Sequence, residues 1–310
     1  MIRLSGYLAS LVLLLLTACS APQYRNISQN PVDIPTRATV IGVPFYPQEA
    51  YYCGPASLAM MLSWSGENVS QSAIAEQIYT PARKGTLPPD ILTGARRHGV
   101  LAIQIDSLNE LLSHLADGYP VLVFQNLGLT FLPPRWHYAV AYAYDLSTGE
   151  LLLHSGTEEQ HVVSLKTFEN TWKRADYWAI TLTQPDDLPP QSGLNASLKA
   201  ANGLEHARRY EEAATAFRSI ANRWQDNIPA RMGLGNALYA TGDYESAVTA
   251  FLEATNINPG FAPAWNNLAH VLGKLGQTQA AIAAAERAIA LEENNDLYQE
   301  TLKEIETIGQ

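Results

Sequence analysis

Cys53 stands at a position where a cysteine can act as a nucleophile. Residues 43–66 read VPFYPQEAYYCGPASLAMMLSWSG. Val43, Phe45 and Tyr46 suit a short strand or extended run. After Cys53 the apolar residues Leu58, Met61, Leu62 and Trp64 recur at helical spacing. Cys53 is therefore predicted at the start of a buried helix, where unpaired N–H groups and a partial positive charge favour a thiolate and lower the thiol pKa. Gly54 lets a substrate approach the backbone, and Pro55 suits the first helical turn. Gln48, five residues ahead, offers an amide donor that could share an oxyanion with the Cys53 backbone N–H. A thiol nucleophile needs a base, and His137 heads a distant apolar strand, about 84 residues away. The chain has seven histidines. His98, His114 and His206 lie in helical or polar stretches and read as surface residues, whereas His161, in a strand-like context, fits either setting.

The elements that must bring sulfur and imidazole together alternate between helix and strand from residue 39 to about residue 183. Residues 119–126 (YPVLVFQN) and 136–144 (WHYAVAYAY) read as apolar strands, and after a turn at 145–149 residues 150–154 read as a third. Gln48, Cys53-Gly54-Pro55-Ala56, Gly85-Thr86-Leu87, Gly118-Tyr119-Pro120-Val121 and His137-Tyr138-Ala139-Val140 follow in an order that resembles the bacteriocin-processing, double-glycine-leader peptidases. These are papain-like domains. The resemblance covers residues 39–180 or so. It implies an α+β cysteine peptidase domain in which Cys53 is the nucleophile, His137 the general base and acid, and Gln48 the oxyanion donor. That family normally carries Asp or Asn sixteen or seventeen residues after the histidine, to orient the imidazole. Here His154 occupies the place. Asp145 is no substitute, since it ends the strand that His137 begins, about 25 Å away at ~3.3 Å per residue. A neutral His154 accepting from His137 stabilises an imidazolium less than a carboxylate does. No metal-ligand spacing, phosphate-binding glycine loop or serine-hydrolase elbow is present, and no cofactor is expected.

After a proline-rich linker at 184–193 (QPDDLPPQSG), the chain reads as helical and repeats every 34 residues. Ala213, Ala247 and Ala281 align, as do Leu204, Leu238 and Leu272; Phe217 and Phe251 align with Ala285. Gly242 and Gly276 mark turns between helices. The pattern resembles the tetratricopeptide repeat, with units at 194–227, 228–261 and 262–295 and a capping helix at 296–308. Small alanines let paired helices approach, aromatics fill the gaps between units, and about three units are needed to bury a continuous core. The resemblance implies an all-α solenoid with a concave face for a peptide or protein partner; Met232, Asn236, Tyr239, Asn266 and His270 are candidates to line it.

The N-terminus reads as an address. Arg3 precedes a short apolar run at 8–16, too short for the roughly 20 apolar residues of a membrane span. Leu16-Thr17-Ala18-Cys19 resembles the lipobox of bacterial lipoproteins. That resemblance implies removal of residues 1–18, acylation of Cys19, and residues 19–38 as a lipidated, polar tether. Ser20, rather than Asp, after the cysteine implies the outer membrane, facing the periplasm. Cys19 and Cys53 are the only cysteines, each with its own explanation, so no disulfide is expected. A net charge of -10 without a basic run speaks against nucleic-acid binding. Three functions remain. One is an envelope-anchored peptidase whose repeats recruit a partner or substrate. Another is a weak or inactive peptidase fold that serves as a peptide-binding adaptor. The third is a scaffold in which only the repeats matter.

Overall fold

The computed structural model describes residues 21–30, 33–48, 51–129 and 132–308; the leader and Cys19 lie outside them. The chain forms two compact units. The first contains helices α1 (Pro22–Gln29), α2 (Cys53–Trp64), α3 (Gln71–Ile78), α4 (Pro88–Arg97), α5 (Leu108–Ala116) and α6 (Leu165–Lys173). Its strands are β1 (Arg37–Thr39), β2 (Leu101–Ile105), β3 (Val121–Asn126), β4 (Trp136–Asp145), β5 (Glu150–Ser155), β6 (Glu158–Ser164) and β7 (Ala179–Thr183). The sheet runs β2-β7-β3-β4-β5-β6, and β1 extends it by pairing antiparallel with the far half of β4.

β4 is apolar along nearly its whole length because it is covered on both faces, not alternately. Leu108, Leu111, Leu112 and Leu115 of α5 and Leu165, Phe168 and Trp172 of α6 cluster with Val121, Val123, Ala139 and Ala141 of the sheet. α2 also packs on β4 and β3. Every residue of α2 from Gly54 to Leu62 is buried, so it is apolar around its circumference, as a helix inside a core must be. Cys53, its first residue, is only partly buried, as are Ser63 and Trp64 at its other end.

Part of the stretch 19–38, read from its polarity as a tether, is ordered against the domain. Residues 22–29 form α1, whose Ile27 is buried in the sheet core. The first free N–H groups of α1, on Gln23 and Tyr24, donate to the Glu169 carboxylate at 2.9 and 2.7 Å. Glu169 is fully buried on α6 and acts as a cap supplied from another part of the chain. His114 likewise departs from the surface role expected of it. It is fully buried on α5, with Nδ1 bonded to the Glu110 carbonyl at 2.8 Å.

The second unit is a run of paired helices: α7 (Leu194–His206) with α8 (Tyr210–Arg223), α9 (Ile228–Thr241) with α10 (Tyr244–Ile257), α11 (Ala262–Lys274) with α12 (Thr278–Leu291), and the cap α13 (Asp296–Ile308). Asn227 caps α9 by accepting from the Ala230 N–H at 2.8 Å, and Gly242 ends it at φ +85°. Two glycines inside α9 have a packing cause. A Cβ on Gly233 would lie 2.5 Å from the Phe217 ring, and one on Gly235 2.5 Å from the Phe251 ring. Thus the aromatics of successive repeats sit directly against helix backbone.

Candidate active site

Cys53, His137 and Gln48 line one cavity of about 460 Å³, together with Tyr51, Thr86, Trp136 and Tyr138. Three separate stretches of sequence meet there. Cys53 is brought by the tip of α2. Gln48 is placed by its own backbone, whose N–H donates to the Gly156 carbonyl at 3.0 Å, just past the end of β5. His137 is the second residue of β4 and pairs across the sheet with Gln125 of β3. Beneath it Tyr138 stacks on Phe124 (centroids 4.5 Å apart), and the Tyr138 hydroxyl donates to the Thr86 carbonyl at 3.2 Å. That bond ties β4 to the segment at Thr86 that lines the cavity.

Gly54 serves packing, not substrate access. A Cβ there would lie 2.7 Å from the Thr86 Cβ, so the Thr86 side chain fills the space that the missing side chain leaves. The Gln48 Nε2 is buried and has no hydrogen-bond partner among the described residues; neither has the Thr86 Oγ1. Buried polar atoms nearly always find partners, so two orphans at one cavity are groups that a bound molecule can satisfy.

The imidazole is oriented by Ser155 rather than by His154. His137 Nε2 and Ser155 Oγ are 2.8 Å apart. With its proton on Nε2 the ring donates to Ser155, and Nδ1 is left to accept a proton. His154 is buried and turned away. Its Nδ1 donates to the Glu159 carbonyl, its Nε2 lies 3.3 Å from the Val43 carbonyl, and its ring stacks on Tyr142. A β-bulge causes the exchange. Near the turn, Ala143 pairs with Leu152; beyond the bulge, Val140 pairs with His154. Opposite residues share a face, and faces alternate along each strand. Had the first register continued, His154 would share the face of His137. The extra residue on β4 puts Ser155 there instead. Asp145 is at the other end of β4, paired with Arg37 at 2.7 Å.

The expectation of a lowered thiol pKa is reversed. Burial pushes the Cys53 thiol above its ordinary value, and this outweighs the backbone hydrogen bonds from Tyr138, Gly54 and Cys53 itself that pull it down. Burial also lowers His137 to about 4, helped by the nearby His161 and Arg135. At neutral pH the pair therefore rests as thiol and neutral imidazole, an acid and a base with the proton not yet transferred. Among the described residues no group of three or more His, Cys, Asp or Glu could hold a metal ion, and no helix is long and apolar enough to cross a membrane.

In the second unit, Asn236, Tyr239, Asn266 and His270 line a common cavity with Asn267, Phe251, Leu297 and Thr301. Tyr239 and His270 lie ring to ring at 5.8 Å, and Asn267 donates to Asn236 at 3.0 Å. Met232 is not among the lining residues.

Residues 40–180 match the model of the Peptidase_C39 like family, and residues 235–276 and 262–295 match models of tetratricopeptide repeats. Three solved structures are similar in part. A putative C39-like peptidase from Bacillus anthracis is 20% identical, over 47% of this chain and 97% of that one, with a TM-score of 0.41. The first tetratricopeptide domain of Spaghetti (RPAP3), bound to an HSP90 peptide, is 18% identical over 37% and 90% of the two chains, at 0.36. The Yersinia enterocolitica type III secretion chaperone SycD, in complex with a peptide of the translocator YopD, is 18% identical over 37% and 88%, at 0.34. No curated protein matches the chain. The first unit thus holds an α+β domain that resembles C39-like peptidases, and the second is a run of helices that matches tetratricopeptide repeats.

Proposed function

We propose that this protein is a cysteine peptidase, anchored in the bacterial cell envelope through an acylated Cys19, with repeats that recruit a substrate or partner protein. The observation that carries the reading is the meeting of Cys53, His137 and Gln48 in one open cavity, with Ser155 holding the imidazole. In the reaction, His137 takes the Cys53 proton as sulfur attacks a peptide carbonyl. The carbonyl oxygen becomes an oxyanion that accepts hydrogen bonds from the Gln48 amide and the Cys53 backbone N–H. The C–N bond breaks, the departing amine takes the proton from His137, and a thioester remains on Cys53. Water, deprotonated by His137, then releases the acid and restores the thiol.

Anchoring rests on the lipobox-like Leu16-Thr17-Ala18-Cys19. Because α1 begins at Pro22, three residues past Cys19, the domain would sit within about 10 Å of the acylated residue, at ~3.5 Å per residue. Ser20 favours the outer membrane, facing the periplasm.

The test is a peptide carrying a thiol-directed electrophile, offered to the full chain. The expected result is labelling at Cys53 far faster than that of free cysteine, and none in Cys53→Ala. Labelling at the rate of free cysteine would leave a second reading, a peptide-binding adaptor on a peptidase fold. The raised thiol pKa and the hydroxyl in place of a carboxylate partner favour that alternative. Ser155 supplies a finer measurement. Ser155→Ala should slow labelling about tenfold and Ser155→Asp should restore it, whereas His154→Ala should lower Tm and leave the labelling of the folded fraction unchanged.

A further inference from the structure

The cavity around Cys53 is lined by two chemically different groups of residues. Among the described lining residues Arg83 and Lys84 are the ones with fixed charge, and both are cationic in a chain of net charge -10. Both are held on a tight turn rather than on a loose loop. Thr80 and Gly85 bridge across it, the Arg83 N–H donates to the Thr80 carbonyl at 3.0 Å, and Lys84 takes the left-handed conformation at φ +49°. The Lys84 ammonium lies 5.6 Å from the centroid of the Tyr51 ring, and Tyr51 is itself left-handed at φ +71°. Among the described residues neither Arg83 nor Lys84 has a carboxylate partner, although surface cations on an acidic protein have many available. Two non-glycine residues in the left-handed region, facing each other at the mouth of the cavity, are a strained arrangement of the sort that functional sites retain.

A second group of lining residues is apolar and open. Trp136 is 51% exposed and Leu87 40%, large side chains left in water beside the nucleophile. Trp136 is not loose: its ring stacks on Phe124 at 5.1 Å. A preset aromatic face of this kind binds a bulky apolar side chain with little loss of conformational entropy.

We infer that the cleft selects peptides that carry a carboxylate close to a bulky apolar residue, the carboxylate at Arg83 and Lys84 and the apolar side chain on Trp136 and Leu87. This rests on the peptidase reading of the cleft and names the substrate class for it. The carboxylate is an acidic side chain or the free C-terminus of a short peptide; either meets the same two cations.

Binding to full-length Cys53→Ala, which cannot turn peptides over, tests it. Fluorescent peptides with one Leu or Phe and a neighbouring Glu, Gln or Lys, each with a free or amidated C-terminus, are titrated by anisotropy at low and high salt. Glu peptides are expected to bind at least tenfold more tightly than Gln peptides, with the preference shrinking in salt. If the free C-terminus is the source instead, amidation alone removes the gain. Arg83→Glu with Lys84→Glu should turn the preference toward Lys peptides, with Tm held within a few degrees because both residues are exposed. Affinities that ignore charge at both positions, or no binding by any peptide, overturn the inference. Labelling of wild-type Cys53 by an uncharged electrophilic peptide is read separately, so a charge-blind cleft that still labels leaves the peptidase reading standing.

Discussion

Replacing His137 with alanine is expected to lower kcat/KM on a cleavable peptide by about 10²–10⁴-fold, the usual contribution of a positioned general base. The effect should be near the upper end of that range, because the thiol cannot compensate by ionising alone. Burial holds Cys53 above its ordinary pKa, so little thiolate exists at neutral pH without a base to take the proton. The pH dependence of the wild type follows from the same two groups. With His137 lowered to about 4, the basic imidazole persists down to that pH, so the acid limb of kcat/KM should reach half-maximum near pH 4. Alkylation of Cys53 by iodoacetamide, which tracks thiolate, should keep climbing past pH 9. A resting thiolate–imidazolium pair gives the opposite pattern: alkylation that levels off below pH 7 even in the absence of substrate. That outcome would remove the neutral-pair description, and an unchanged rate in His137→Ala would remove the base. Stability carries the same signature. The folded pKa of His137 lies below the unfolded value of about 6.5, so the unfolded chain binds more protons between them. The His137 contribution is therefore fully present above pH 6.5 and lost as pH falls through about 4.

What was legible in the sequence is what local pattern encodes. Cys53 precedes a run that can only be a buried helix, and His137 opens a strand apolar enough to need cover on both faces. The 34-residue repeat reads as paired helices, and the second unit is built of helices, α7 to α13. What escaped depends on contacts between distant segments. α1 is eight residues of polar sequence that would not hold a helix alone; it is capped by Glu169, more than 140 residues later. The exchange of His154 for Ser155 depends on one extra residue in β4, and a period of two cannot reveal a bulge in a strand apolar on both faces. The direction of the thiol shift is a competition between a helix terminus, visible in sequence, and the depth at which that terminus is buried, which is not. Arg83 and Lys84 carry no signal in the sequence, because a two-residue cationic pair is ordinary until the fold sets it in the cavity of a nucleophile.

Gln48 offers the sharper test of how the cavity is used. Its Nε2 is buried with no partner among the described residues, an arrangement that costs free energy in the unliganded protein. A side chain kept for packing would be better served by a Met or Leu of similar size. An amide held in place for a developing oxyanion must instead stay unpaired until the transition state forms. Gln48→Ala should therefore lower kcat by about 10²–10³-fold with little change in KM, the mark of a donor that acts on the transition state and not on the bound substrate. Tm should hold or rise slightly, because an orphaned buried donor is removed. A structural role predicts the reverse: lower Tm, altered KM and kcat within about twofold of wild type. Gln48→Glu separates the two further. It keeps the shape and replaces the donor with a carboxylate that repels an oxyanion, so its kcat should fall at least as far as that of alanine. Recovery of kcat in Gln48→Glu would show that this residue's shape, and not its N–H, is what the reaction needs.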